Sequence, residues 1–130
     1  MRASTGGEID AAFASLAKLR ARALVVGDDS YFINQRAQIM ALAARDAVPT
    51  ISGWSAFPVA GGLMSYGTGL ADAYRQVGLY AGKILKGMRP ADLPVQQVVK
   101  IEMVVNLKTA KTLGITFPLP LIGRADEVIE

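Results

Sequence analysis

Near the start of the chain, Ile9, Phe13, Leu16 and Leu19 recur at helical spacing, which predicts a helix over 7–21. The apolar run Ala23 to Val26, bounded by Gly27, has the look of a buried parallel strand. After Asp28-Asp29, Ser30 is placed to cap a helix over 31–46 with Phe32, Ile39, Met40 and Ala43 on one face. Pro49 to Ser52 reads as the next strand, and Gly53 to Gly62 as a loop carrying Trp54, Phe57 and Pro58. A strand-like run at Leu63-Met64 then ends in a polar turn, Ser65-Tyr66-Gly67-Thr68. Thr68 would cap the strongest helix of the chain, 69–87, whose stripe is Leu70, Ala73, Tyr74, Val77, Ala81, Ile84 and Leu85 and whose end is Gly87. A stripe of this kind marks a face to be buried, so an Asp at Val77 is expected to be costly. Pro90 and Pro94 punctuate a linker, and Val98 to Leu107 alternates partly, as an edge or half-exposed strand does. A short helix at Thr109 to Leu113, closed by Gly114, and a last helix over about 121–129 complete the pattern.

Helix and strand alternate, so the class is α/β, layered, with a mostly parallel sheet. Residues 1–130 read as a single α/β unit. Its first element is a helix and only three or four strands are visible, as if the chain began in the middle of a larger fold.

Composition narrows the chemistry. Hydrophobic residues make up 52% of the chain, ample for a core, and disorder is not expected. The chain has no cysteine and no histidine, which excludes disulfides, zinc-thiolate centres and Ser-His-Asp triads within it. The net charge of +3 is dispersed. Lys18, Arg20 and Arg22 sit at a helix end, where cations suit the dipole, and no aromatics interleave them, so no nucleic-acid partner is expected. The order G-x-x-x-x-G-K-[ST] does not occur around Gly82-Lys83, and Gly61-Gly62 lacks the dinucleotide fingerprint. No cofactor, no metal and no enzymatic nucleophile–base pair is expected. MRASTGGEIDAAF lacks an apolar signal core and is interrupted by Glu8 and Asp10, and no run of eighteen apolar residues occurs. As written, the chain would stay in the cytoplasm; an exported two-lobed protein lacking its front portion would read the same way.

Three groups of residues are candidates for binding, each with a plainer alternative. Asp28 and Asp29 follow a buried strand and can accept from a ligand ammonium or hold Mg²⁺; they can equally form the turn that starts the next helix. Ser65, Tyr66, Gly67 and Thr68 offer hydroxyls and helix amides to a ligand carboxylate or carbonyl, or serve only as a strand-to-helix turn. Trp54, with Phe57, forms an aromatic wall over a ligand or anchors its loop on the core.

The run GGLMSYGTGLADAYRQVGLYAGKILKGMRPADLPVQQ, then VVNLKTAKTLGIT and RADEVIE, with ALVVGDDSYFINQRAQIMALAARDAVPTISGW before them, resembles the carboxy-terminal part of substrate-binding proteins of ABC transporters. The resemblance extends to relatives of tryptophan- and tyrosine-binding proteins and covers residues 5–130. It implies one lobe plus crossover segments of a type I periplasmic binding protein, with ligand held between two lobes. It implies a small solute, amino-acid-like or aromatic, an ABC permease as partner, and a periplasmic or lipid-anchored location. On this likeness Ser65 to Thr68 lie near hinge and cleft, Asp28 and Asp29 on the cleft rim, and helix 69–87 against the other lobe. Gly69 departs from the polar or acidic residue that relatives often carry. The alternative is a truncated α/β domain with no solute function, and in either case the open stripe predicts a homo-oligomer.

Overall fold

The computed structural model describes residues 2–96 and 100–130. Helix α1 (Gly6–Leu19) leads to β1 (Leu24–Val26), α2 (Ser30–Asn34), α3 (Arg36–Arg45) and β2 (Thr50–Ser52). Then come α4 (Ala56–Val59), β3 (Met64–Thr68), α5 (Leu70–Leu85), β4 (Ile101–Asn106), α6 (Leu107–Thr112), α7 (Leu119–Ile122) and β5 (Glu127–Ile129). The five strands form one sheet in chain order. All neighbours are parallel except β3 and β4, which are antiparallel. The class expected from the alternation of elements is the one observed.

Helix ends follow local chemistry. Thr5 caps α1 by accepting from the Glu8 N–H, and the Ser4 N–H and hydroxyl donate back to the Glu8 carboxylate at 2.6 and 2.9 Å. Those bonds hold the Glu8 carboxyl below its ordinary range, the Ser4 backbone N–H contributing most. Arg20 ends α1 in the left-handed region, at φ 52°.

Several expectations need correction. Asp29, not Ser30, caps α2, its Oδ1 accepting from the Tyr31 N–H at 2.7 Å. The helix expected over 31–46 is two helices that meet at Gln35. The loop 53–62 contains α4, which Phe57 and Pro58 bury against the core. Ser65 to Thr68 are not a turn but part of β3, each paired with a residue of β4. Thr68 therefore does not cap α5; Gly69 stands at the cap, with no side-chain hydrogen bond. Strand β4 is not an edge, since β3 and β5 flank it and Met103 to Asn106 are buried. Val98 and Val99, included in that expected strand, lie outside the described residues. The helix expected over 121–129 is α7 followed by β5, because Glu127 to Ile129 find a ladder on Val104 to Asn106.

Two apolar clusters flank the sheet. Ile9, Phe13 and Leu16 of α1 meet Ile39, Met40 and Ala43 of α3, with Val26 and Phe57. Leu63, Met103, Val105, Ala110 and Phe117 form the second cluster, under α6 and α7. Helix α5 joins neither and has no buried residue. Val77, expected on a buried face, is 65% exposed, and Tyr74 and Leu85 are open as well. Among the described residues no helix is long and apolar enough to cross a membrane.

Candidate functional site

Because β1, β2 and β3 run parallel, their carboxyl ends share one edge of the sheet. That is where ligands sit in open α/β sheets. Asp28 and Asp29 leave β1 there, Gly53 and Trp54 leave β2, and Thr68 ends β3. Strand β4 runs the other way, so its start, at Lys100 to Glu102, returns to the same edge.

The Asp28 Oδ1 accepts from the Gly53 N–H at 3.1 Å and ties the end of β1 to that of β2. Gly67 lies directly on the Gly53 backbone: a Cβ there would come within 2.8 Å of the Gly53 Cα. Asp28, Gly53 and Gly67 thus form one close stack across three strands. Asp29 uses one carboxylate oxygen on α2 and keeps the other.

The remaining candidates divide by the strand's alternation. Ser65 is 1% exposed and paired between Ser52 and Val104, so its hydroxyl is buried on one face of the sheet. Tyr66 is 56% exposed and Thr68 is open, both on the opposite face from Ser65. Trp54 is half-buried against the α1–α3 cluster, and its carbonyl accepts from the Ser52 hydroxyl at 3.0 Å. The edge thus brings Asp28, Asp29, Tyr66, Gly67 and Thr68 to one end of the sheet, while Ser65 is buried and Trp54 packs on the α1–α3 cluster. Beside Gly27 a mostly apolar hollow of about 340 Å³ opens, lined by Ile9, Phe13, Val26 and Phe32.

Two residues of this edge escape sequence reasoning. One is Gly53. The other is Glu102, whose Oε1 pairs with the Lys100 Nζ at 3.2 Å and whose carboxylate occupies the space a side chain on Gly69 would take. The hydrogen bond to Glu102, with its charge, holds the Lys100 ammonium above its ordinary pKa. Only the partly apolar strand pattern around Ile101 hinted at Glu102, and Gly53 reads from the sequence only as the start of a loop. Among the described residues no three acidic side chains gather as a metal site.

Residues 3–129 match the family described as ABC transporter substrate binding protein. A conserved domain protein from Vibrio cholerae is similar in structure, with TM-score 0.86 and 22% identity over 97% of this chain and 42% of that one. The ABC domain in complex with L-Trp from Streptococcus pneumoniae gives 0.85 and 26% identity over 96% of this chain and 43% of that one. A ligand-free, open substrate binding protein with adhesive properties from Clostridium difficile gives 0.66 and 24% identity, covering 98% and 42%. The chain therefore spans less than half the length of these three structures. No curated protein matches it.

Proposed function

Since the chain belongs to the ABC transporter substrate-binding protein family, we propose that it forms part of the solute-binding component of an ABC-type importer. It holds one side of a cleft for a small amino-acid-like or aromatic solute. The observation that carries this reading is the convergence of three parallel strand ends, with Asp28, Asp29, Tyr66 and Thr68 open at one edge. The role is binding without catalysis: these groups are acceptors, hydroxyls and an aromatic ring. In a complete receptor the far side of the cleft comes from a second lobe, closure on the solute presents a surface to a permease, and the protein works in the periplasm or on a lipid anchor. The L-Trp complex of the streptococcal relative makes L-tryptophan the first probe.

The test is an amide-shift titration of the chain with L-tryptophan, a method that reads the weak binding expected of half a cleft. Shifts should concentrate at Asp28, Tyr66 and Thr68. Asp28→Asn should raise the dissociation constant roughly tenfold or more, the loss of a charge-assisted hydrogen bond. Equal shifts across the whole surface, or an unchanged Asp28→Asn, would remove the site from this edge.

A second reading, self-association without solute binding, is favoured by the open stripe of α5. Val77→Asp separates the two. Its melting should match the parent within about 0.5 kcal/mol, as for an exposed position. Light scattering should show a smaller particle only if the stripe joins two chains. A strongly destabilised variant would mean that the stripe is buried after all.

A further inference from the structure

The closest packing at the carboxyl edge involves a residue without a side chain. A Cβ on Gly53 would lie 2.6 Å from the Asp28 Cγ, and its three nearest atoms would all belong to that carboxylate group. The Gly53 N–H meanwhile donates to Oδ1 at 3.1 Å. One bond and one vacant Cβ position therefore seat the same carboxylate from the same residue.

We propose that Gly53 is a positioning residue that aims the Asp28 carboxylate along the cleft edge, and that the pair restricts the site to solutes bearing a protonated amine. The inference rests on the solute-binding reading of that edge. With Oδ1 accepting from the Gly53 N–H and Oδ2 packed over the Gly53 Cβ position, the carboxylate is held in one orientation, and the direction of its remaining lone pairs is set. Asp29 likewise retains one oxygen beyond its capping bond. Lys100, the cation that returns to this edge, is engaged by Glu102 at 3.2 Å. The edge therefore offers acceptors of set direction to an ammonium group.

Alanine at 53 distinguishes aiming from folding. The backbone of Gly53 is outside the left-handed region, and the atoms a methyl would meet are the end of one exposed side chain. The carboxylate swings away and the fold remains. At Gly67 the same change meets backbone instead.

Two measurements test the proposal. The first needs no solute: the Gly53 amide resonance of the chain is compared with that of Asp28→Asn and Asp28→Ala. It should move when the carboxylate acceptor is replaced, and most when it is removed. An amide that ignores Asp28 overturns the positioning role. The second uses L-tryptophan, tryptamine and indole-3-propionate as probes. The two amines should bind and the propionate should not. Gly53→Ala should weaken both amines roughly tenfold or more with unchanged melting, and should add nothing in an Asp28→Ala background. A Gly53→Ala effect that persists without Asp28, or binding of indole-3-propionate as tight as of tryptamine, overturns the proposal. If none of the three probes binds, the solute reading and the amine restriction fall together, while the amide comparison still decides whether Gly53 seats Asp28.

Discussion

Phe57→Ala should destabilise the chain by about 3–5 kcal/mol, the usual cost of emptying a large buried aromatic site. Phe57 is 1% exposed and is the α4 residue inserted into the α1–α3 cluster. Its effect reaches further than its own cavity. The Phe57 carbonyl accepts from Gly62 at 2.9 Å, and that of neighbouring Pro58 accepts from the Asn106 Nδ2 at 2.9 Å. Asn106 also caps α6, its Oδ1 accepting from the Thr109 N–H at 2.9 Å. Helix α4 therefore clips one cluster to the other, and a loosened Phe57 relaxes the clip. Thermal unfolding should fall by roughly 10–20 °C. The control is Val59→Ala, an exposed position on the same turn, which should stay within about 0.5 kcal/mol of the parent. Equal melting of Phe57→Ala and parent would mean that α4 does not enter the core.

Gly67→Ala is the second large effect. The added methyl would come within 2.8 Å of the Gly53 Cα and 2.9 Å of its carbonyl carbon, and neither can turn aside as a side chain would. The ends of β2 and β3 must separate, at an overpacking cost of about 1–3 kcal/mol. Because that separation also shifts Gly53, solute binding should be lost along with stability. This contrasts with Gly53→Ala, where binding changes and melting does not. Chemical denaturation of the two variants side by side checks the contrast. If Gly67→Ala is as stable as Gly53→Ala, the close approach of the two strands is wrong.

Much of this architecture is legible in the chain. Strands β1 and β2 are short apolar runs closed by Gly27 and Gly53, and α5 announces itself by its stripe. Strand β3 is hidden because Ser65 and Gly67, turn formers by local preference, interrupt it. Only the ladder to β4, contributed from beyond the linker, makes them a strand. Strand β5 is hidden for the same reason: Glu127 to Ile129 are strand only because β4 lies beside them. At the candidate edge, Asp28 can be chosen from its chemistry and its place after β1, and Tyr66 and Thr68 from their hydroxyls alone. Ser65 could not be separated from Tyr66 without the alternation of β3. Gly53 shows no chemistry of its own, and its bond to a carboxylate 25 residues away leaves no trace in spacing.

The antiparallel pairing of β3 with β4 has one more consequence. Its last rung joins Thr68 to Ile101, so the chain leaves this ladder as an arm after Thr68 and rejoins it at Ile101, directly opposite. Among the described residues the ties of this arm include internal ones, such as the Tyr80 hydroxyl donating to the Pro94 carbonyl and Arg89 paired with Asp92. For the ladder, the arm is a closed loop, and loop-closure entropy grows only with the logarithm of length. Doubling the loop costs about 0.6 kcal/mol. The sheet is therefore nearly indifferent to how long the arm is, and the arm can be lengthened away from its two ends with little change in the stability of the strands that carry it.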